Sequence, residues 1–134
     1  MDCIYCAGKT SVTNSRPQKR LRQIWRRRKC KQCGSIFTTV EGADFTTTLL
    51  VRNTEGLLSP FRRDQLFTSI LEACGHRPTR IADATGLTDT VIAHLRPYMA
   101  SAQLDSDIIA KTAHKALERF DKPAAVHYKA FHPM

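Results

Sequence analysis

A chain of 134 residues, 42% of them hydrophobic, has room for one ordinary domain or two small ones, and we expect two. No stretch reaches the roughly 18 apolar residues that a membrane span needs. The N-terminus lacks the apolar core of a signal peptide, so we expect a cytoplasmic protein with no membrane partner. The formal charge of +9 is uneven: residues 1 to 45 hold 10 Lys and Arg against 3 Asp and Glu, and residues 46 to 134 hold 11 against 9. This asymmetry favours a polyanion, most simply nucleic acid, as the partner of the N-terminal part.

Four of the five cysteines form two CxxC pairs, Cys3 with Cys6 and Cys30 with Cys33. In a reducing compartment such pairs are better interpreted as metal ligands than as disulfides. Two knuckles of this kind present four thiolates to one Zn2+ ion, in the tetrahedral arrangement that zinc prefers in structural sites. The spacing predicts a zinc ribbon over residues 1 to 45, with a β-hairpin between the knuckles and a strand over SIFTTV, 35 to 40. Redox-active CxxC motifs and unrelated buried thiols are the alternatives.

The basic residues of the predicted ribbon lie between and within the knuckles. A ribbon held by metal needs little hydrophobic core, so its basic side chains form a preorganised surface for phosphates. The residues predicted to contact DNA are Arg16, Arg26, Arg27, Arg28, Lys29 and Lys31. Trp25, inside this run, offers a flat surface to a sugar or base. A solvated face beside the metal centre, with Trp25 in a small core, is the alternative.

From residue 46 the hydrophobic pattern predicts a β-hairpin followed by a helical bundle, so the expected fold class is α+β. TTTLLVRN (46 to 53) is predicted as a strand, TEG (54 to 56) as a turn and LLSPF (57 to 61) as a return strand. RRDQLFTSILEAC (62 to 74), TDTVIAHL (88 to 95) and SDIIAKTAHKALERF (106 to 120) are predicted helices. Thr88 is the expected N-cap of the second, Pro97 its expected end, and a last short helix is expected near Pro123. The fifth cysteine, Cys74, is expected to be a core thiol.

The segment RIADATGLTDTVIAHL, 80 to 95, also fits a helix-turn-helix with its turn at residues 86 to 88. The second domain would then read DNA independently. Its second helix, however, carries Asp89 and only Arg96 as a firm positive charge, which is poor chemistry for approaching phosphates. Two packed helices of a bundle are the alternative interpretation.

Five segments occur in an order and spacing that resemble the NrdR family, bacterial transcriptional repressors of ribonucleotide reductase genes. They are MDCIYC, NSR, WRRRKCKQCGSIFTTVE, VRNTEGLLSPFRRDQL and RFDKPAAVHYKAF, and the resemblance covers nearly the whole chain. It implies that residues 1 to 45 are a DNA-binding zinc ribbon and that residues 46 to 134 are an ATP-cone, which binds ATP or dATP. It also implies a homo-oligomer whose nucleotide-dependent assembly decides whether palindromic operator DNA is occupied.

The resemblance places the nucleotide beside the first hairpin of the second domain and the start of the following helix. The residues that it implies there are Arg52, Asn53, Thr54, Glu55, Gly56 and Gln65. Asn53 and Gln65 stand where the family usually has lysine, and Ala125 stands where it has tyrosine. These departures remove groups suited to triphosphate or adenine contacts.

Two other functional classes compete with a repressor. One is a zinc-ribbon module that binds RNA or a protein such as polymerase and carries a purely structural ATP-cone. Preference for a palindromic duplex would distinguish the two, because phosphate contacts alone give salt-dependent but sequence-blind binding. The other is an enzyme, which we do not expect: no Ser/His/Asp set, P-loop or paired carboxylates stand out, and a zinc ion held by four cysteines has no open coordination position.

Overall fold

A computed structural model describes residues 1 to 134, which divide into two compact units, Met1–Ala43 and Asp44–Met134. None of the helices combines the length and the apolar character needed to cross a lipid bilayer. The assignment of the first unit to DNA and of the second to nucleotides remains a prediction.

The N-terminal unit is a three-stranded antiparallel sheet in the order β1-β2-β3. Its strands are β1 (Thr10–Gln18), β2 (Gln23–Cys30) and β3 (Ile36–Glu41). The first two form the hairpin predicted between the knuckles, and β3 is the strand predicted after the second knuckle. The hydrophobic residues buried in this unit are Cys3, Cys30 and Phe37. So small a core is a poor source of stability, which indicates that the cysteines must contribute through a metal.

The C-terminal unit combines a second three-stranded sheet with helices, which confirms the α+β class. The sheet order is β5-β4-β6, with β4 antiparallel to β5 and parallel to β6. In chain order the elements are α1 (Phe45–Thr48), β4 (Leu50–Arg52), β5 (Leu58–Pro60), α2 (Arg63–Ala73), α3 (Arg80–Leu95), a 3-10 helix (Arg96–Tyr98), β6 (Gln103–Asp105), α4 (Ser106–Phe120) and α5 (Lys122–Phe131).

The core of this unit is built from the apolar faces of the helices and the inner side of the sheet. Ile70 on α2, Val91 on α3 and Leu117 on α4 are fully buried, because each belongs to a run of apolar residues at helical spacing. Cys74 lies in the same core, as predicted. Burial, and then the nearby carboxylate of Asp83, raise the pKa of its thiol, so it is a packing residue rather than a reactive one.

The predicted strand over residues 46 to 53 is wrong in its first half. Residues Phe45–Thr48 form one helical turn, and only Leu50–Arg52 is a strand. Asp44 starts the turn: its Oδ1 accepts a hydrogen bond from Thr46 N at 3.0 Å, and its carbonyl accepts one from the Thr48 hydroxyl at 2.8 Å. The β-branched threonines favoured a strand, but an aspartate N-cap followed by hydroxyls that bond to its carbonyl favours a helical turn.

The prediction that a helix begins at Thr88 is also wrong, and so is the helix-turn-helix alternative. Residues Arg80–Leu95 form one continuous helix. Thr88 is fully buried in its middle, and its hydroxyl donates to Ala84 O at 2.7 Å, one turn earlier. Gly86 favoured a turn, but a glycine costs a helix only about 1 kcal/mol. Burial of Leu87 and Ile92 on the same helix outweighs that cost.

Strand β6 has no counterpart among the predicted elements. It lies parallel to β4, with Leu104 opposite Val51 and Asp105 opposite Arg52. Leu104 is only 2% exposed, and Arg52 Nε donates to Asp105 Oδ1 at 2.8 Å. A three-residue strand with one apolar residue shows no alternation, so its existence depends on the long-range pairing.

Candidate metal centre and nucleic-acid interface

The four cysteines of the two CxxC motifs lie together at one end of the ribbon, with their sulfur atoms all within 4.8 Å of one another. Cys3 Sγ lies 3.8 Å from Cys33 Sγ, and Cys6 Sγ lies 3.5 Å from Cys30 Sγ. A zinc ion with four sulfurs at about 2.3 Å in a tetrahedron requires sulfur separations of about 3.8 Å. The cluster therefore fits one Zn2+ ion.

Backbone N–H groups of the knuckles point at the sulfurs. Cys3 Sγ accepts from Tyr5 N at 3.5 Å, and Cys6 Sγ accepts from Gly8 N at 3.4 Å. In the second knuckle Cys30 Sγ accepts from Gln32 N at 3.3 Å and from Cys33 N at 3.4 Å. These donors stabilise negative charge on the sulfurs and orient them toward a common point, as groups around metal ligands do.

The thiol pKa values in the cluster differ widely. The hydroxyl and then the backbone N–H of Ser35 lower the pKa of Cys33 to about 6. The backbone N–H of Cys33 is the largest of the influences that lower the pKa of Cys30. At Cys6 the Gly8 N–H favours the thiolate, but the thiols of Cys30 and Cys33 outweigh it and raise the pKa to about 12. Thiolates this close repel one another, so all four ionise together only around a cation.

One face of the ribbon carries unpaired positive charge, and we call it the basic face. Trp25, Arg27 and Lys29 are alternate residues of β2 and therefore share this face. Arg16 of β1 and Val40 of β3 lie directly opposite Trp25 and belong to it too. Arg16, Arg27 and Lys29 are exposed, and their side chains make no ion pair or hydrogen bond within the chain. Trp25 is half-buried between them.

The opposite face of β2 carries the remaining two arginines of the predicted set, and we call it the paired face. Arg26 forms an ion pair with Glu41 of β3. Arg28 lies opposite the buried Phe37, and its Nε donates to Thr39 Oγ1 at 3.3 Å. Both side chains are half-buried. The basic residues of β2 look uniform in the sequence, but the structure divides them into cations without a partner in the chain and cations that contact β3.

Lys31 lies in neither group, because it follows β2 in the second knuckle. Its backbone N donates to Lys9 O at 2.9 Å, which joins the two knuckles. Its side chain is exposed beside the metal centre. Lys31 therefore adds positive charge at the cysteine end of the ribbon rather than on the basic face.

In the C-terminal unit, two of the hairpin residues expected near a nucleotide, Arg52 and Asn53, have side chains occupied by other contacts. Arg52 forms the ion pair with Asp105, at 2.8 Å. The Asn53 side chain accepts from Glu55 N at 3.0 Å and from Leu57 N at 2.8 Å. Residues 54 to 56 form the turn itself, where Gly56 has a φ of +84°. These contacts shape the hairpin and leave few free groups for a ligand.

Gln65, the other predicted nucleotide residue, lines a cavity of about 240 Å³ between the sheet and helices α2, α4 and α5. Tyr128 and His132 close one side of it, with their rings stacked at 4.1 Å between centroids. Arg62 is the one firmly charged cation among the lining residues. The structure therefore brings Gln65 to a cavity and keeps residues 52 to 56 outside its lining. Sequence reasoning missed most of the lining because it comes from five separate elements.

Comparison with known proteins points to one family. Residues 1–41 match the family model described as "Transcriptional repressor NrdR-like, N-terminal domain". The chain is 33% identical over 128 residues to the transcriptional repressor NrdR of Symbiobacterium thermophilum, an alignment that covers 96% of this chain and 84% of that protein. It is 34% identical over 129 residues to the protein of the same name in Tropheryma whipplei, again with 96% and 84% covered.

The protein named transcriptional repressor NrdR in Ligilactobacillus salivarius is 33% identical over 129 residues, which cover 96% of this chain and 81% of that protein. All three relatives are named as repressors, a class of regulators rather than of enzymes. Identity of this level extends along both units and agrees with the four-cysteine ribbon. The chain belongs to the NrdR family of transcriptional repressors.

Proposed function

We propose that this protein represses ribonucleotide reductase genes by binding palindromic operator DNA through the basic face of its zinc ribbon. Adenine nucleotides bound to the C-terminal unit, ATP or dATP, control assembly of the homo-oligomer and hence occupancy of the operator. The observation that carries the DNA part of the proposal is the separation of free from engaged arginines on the two faces of β2.

Zinc would be held by the four cysteines, Cys3, Cys6, Cys30 and Cys33. When bound, it supplies a rigid tetrahedral link between the two knuckles and no reaction chemistry. The knuckles flank the hairpin at the cysteine end, so the link fixes the position of β2 and of the cations along it. A preorganised row of cations loses less conformational entropy when it meets a phosphate backbone.

On the basic face, Arg27 and Lys29 are free to contact phosphates, and Arg16 extends the charge onto β1. Trp25 presents its half-buried indole in the middle of this face, where the ring can lie against a sugar or base. Arg26 and Arg28 would have to leave Glu41 and Thr39 to do the same. We therefore assign the DNA contacts of the β2 run to alternate residues rather than to every arginine.

The test compares two double variants with the same change in charge. Arg27→Gln with Lys29→Gln alters the basic face, and Arg26→Gln with Arg28→Gln alters the paired face. Binding of the zinc-loaded protein to an operator duplex is measured by fluorescence anisotropy over a range of salt concentrations. The slope of log K against log salt is negative, and each phosphate contact that is lost reduces its magnitude by about 0.9. We expect the magnitude of the slope to decrease by about 2 for each ribbon bound to the operator in the basic-face variant, and to change little in the paired-face variant.

A scrambled duplex and an RNA of equal length serve as competitors at matched salt. A palindromic duplex should bind more tightly than both, because specific sites exceed non-specific ones by about 10³-fold or more. Equal loss of binding in the two variants would contradict the assignment to one face. Equal affinity for all three nucleic acids would favour the sequence-blind ribbon module instead of a repressor.

For the nucleotide we propose the cavity lined by Gln65, with the phosphates directed toward Arg62. The cavity offers a stacked aromatic pair on one side, polar groups such as Ser59 and Ser106, and this single firm cation. Small-molecule sites combine apolar walls with a few polar groups in the same way. The hairpin residues 52 to 56 would then act by holding the wall of the site rather than by direct contact.

Titration calorimetry with ATP and with dATP tests this site in the zinc-loaded protein. Arg62→Gln should weaken binding of either nucleotide by about tenfold or more, the value of one charge-assisted hydrogen bond. Arg63→Gln is the matched control, because the neighbouring Arg63 pairs with Asp89 at 2.7 Å and lies outside the cavity lining. Similar loss in both variants, or no binding by the parent protein, would contradict the assignment of the cavity.

Assembly is the third part of the proposal. One ribbon reaches few phosphates, so tight binding to a palindrome requires two or more ribbons at the right spacing. Sedimentation velocity with ATP, with dATP and without nucleotide measures whether the molecular mass changes. We expect different masses in the ATP and dATP states and operator binding in only one of them. A single mass under all three conditions would contradict control by assembly.

A further inference from the structure

A second cluster of cations lies on the C-terminal unit, outside the lining of the cavity that contains Gln65. Lys115 and Arg119 are four residues apart on α4, so their side chains are neighbours on one face of the helix. Both are exposed, and neither makes an ion pair or a side-chain hydrogen bond within the chain. Like charges at this spacing destabilise a helix, so their proximity calls for an explanation.

Four other cations of this unit are neutralised by acids. Arg52 pairs with Asp105, Arg63 with Asp89, and Lys111 lies 4.0 Å from Asp107. Arg77 is held by two carboxylates, each at 2.8 Å. The pair on α4 differs from these four in having no ion pair with an acid.

Lys115 and Arg119 line one side of a concavity of about 280 Å³. His94 at the end of α3 and Tyr98 in the 3-10 helix also line it, as does Thr112 of α4. Every one of these five side chains can donate a hydrogen bond, and no acidic residue lines the concavity. Such a set of donors is typical of an anion-binding site. The volume of the concavity is sufficient for a phosphate group and part of the molecule that carries it.

Helix polarity explains only part of this arrangement. A cation in the last turn of a helix is stabilised by the helix dipole, and Arg119 is in that position on α4. Lys115 lies a full turn earlier, where the effect has faded. The dipole also gives no reason for the donors of His94 and Tyr98 to converge on the same space from another element.

We propose that this concavity, the α4 phosphate site, binds a phosphate group through Lys115 and Arg119, with Thr112, His94 and Tyr98 as further donors. The phosphate belongs either to a small phosphorylated ligand or to a nucleic-acid backbone. The inference does not rest on the proposed nucleotide cavity, because none of these five residues lines it.

The test uses the full-length, zinc-loaded protein with uniform ¹⁵N labelling and pyrophosphate as the probe, at constant ionic strength. Amide resonances report each region separately, so binding at the ribbon or near Arg62 is not confused with binding at α4. We expect saturable shifts at residues 94 to 98 and 112 to 119. In the Lys115→Gln, Arg119→Gln double variant these shifts should require about tenfold more pyrophosphate or disappear.

The matched control is Lys122→Gln with Lys129→Gln, which removes the same charge from two exposed residues of α5. These lysines line a different groove, which also contains Glu118. The control should leave the pyrophosphate affinity at α4 within about twofold of the parent, since neither lysine lines the concavity and salt screens charges that make no direct contact. Equal losses in the two variants would show general electrostatics and overturn the site. The absence of saturable shifts at α4 in the parent protein would overturn it as well.

Two further arms distinguish the sources of the phosphate. If ATP shifts the α4 resonances in the Arg62→Gln background, the phosphate is that of a small ligand. If a duplex shifts them, and the magnitude of the salt slope of duplex binding falls by about 1 to 2 per bound chain in the α4 variant but not in the Lys122→Gln, Lys129→Gln control, the phosphate is that of the backbone. The α4 residues could instead form an interface between copies of the chain. In that case the α4 variant would change in molecular mass, while pyrophosphate would cause no α4 shifts in the parent protein and would bind elsewhere as before. That result would overturn the proposal.

Discussion

Residues Met1–Ala43 bury three hydrophobic side chains, and two of these are cysteines of the metal cluster. Residues Asp44–Met134 bury a continuous core drawn from the sheet and from α2 to α5. The first unit therefore depends on coordination and the second on apolar burial. A unit whose stability comes from a metal can leave most of its surface to a single kind of charge.

The charges follow the same division. Residues 1 to 43 contain 10 Lys and Arg but only Asp2 and Glu41 as acids, whereas residues 44 to 134 contain 11 cations and 10 acids. Unpaired cations repel one another, and the burial of a small apolar core contributes too little free energy to offset that repulsion. In the ribbon a zinc ion provides the compensating free energy, so the basic face is kept without neutralising partners.

Metal removal should give the largest difference in stability between the two units. Structural zinc contributes an apparent binding free energy of about 10–16 kcal/mol in zinc-finger peptides at neutral pH. Chelation, or Cys30→Ser, should therefore unfold residues 1 to 43 while residues 44 to 134 keep dispersed amide resonances. Cys74→Ala is the control, because this buried cysteine is outside the cluster and its loss should leave one zinc per chain by mass spectrometry. Dispersed ribbon resonances after complete zinc removal would contradict the inference that the first unit depends on the metal for its fold.

A core truncation should do the reverse. Leu117 on α4 is fully buried, so Leu117→Ala should lower the free energy of unfolding of the C-terminal unit by about 2–5 kcal/mol. Urea unfolding followed by amide resonances of both units measures this, and the zinc content should not change. Val126→Ala, at a side chain 71% exposed, should stay within about 0.5 kcal/mol of the parent. A similar shift of the ribbon transition would mean that the units do not unfold independently.

Acid should affect the C-terminal unit through Asp121, which caps α5. Its carboxylate accepts from Ala124 N at 3.0 Å and from Arg77 Nη1 at 2.8 Å, and these bonds lower its pKa to about 2. A carboxyl with a lowered folded pKa stabilises the fold above its unfolded pKa of about 3.9. That contribution to the free energy of unfolding is lost as the pH falls through the pKa of the folded state. Denaturant midpoints of residues 44 to 134 should therefore fall below about pH 4 in the parent protein.

Asp121→Asn keeps an N-cap acceptor but cannot ionise. The denaturant midpoint of this variant should therefore be lower than that of the parent at neutral pH and should fall less steeply in acid. Asp107→Asn is the control: Asp107 is exposed and lies 4.0 Å from Lys111, and such pairs contribute little. A steep acid dependence that persists in Asp121→Asn would assign the effect to other carboxyls.

The smallest expected effect tests the continuity of α3. A methyl group added at Gly86 would have no neighbouring atom within 4 Å, so Gly86→Ala should stabilise the C-terminal unit. The expected gain is about 0.5–1 kcal/mol, the difference in helix propensity, measured by urea unfolding. Gly56→Ala gives the contrast: its φ of +84° penalises alanine, so this variant should be destabilised. Destabilisation by Gly86→Ala would favour a break at this position.

Features that depend on local spacing were predictable from the sequence. The four cysteines needed only the CxxC pattern to be assigned to one ion, and α4 needed only its apolar spacing. The NrdR family also followed from short motifs, each read within a few residues, that occur in a fixed order along the chain. In each case the signal is a pattern of residue types at short, fixed spacing.

Features that depend on competition between partners were not predictable in the same way. Arg26 and Arg27 are adjacent in sequence, yet only the strand register shows that one of them has Glu41 as a partner. Arg52 is held by Asp105, on a strand whose sequence carries no strand pattern. The nucleotide contacts and the DNA contacts remain predictions for the same reason: they depend on which groups are left free once the fold is complete.

The parallel pairing of β4 with β6 has a consequence for the order of events on the ribosome. Arg52 and Asp105 are 53 positions apart, so this sheet cannot close until α2, α3 and β6 have all been synthesised. The ribbon contains all of its pairings within the first 41 residues. Domains fold as units, N-terminal first, during synthesis. The nascent chain can therefore capture zinc and expose its basic face before the C-terminal unit has any complete sheet.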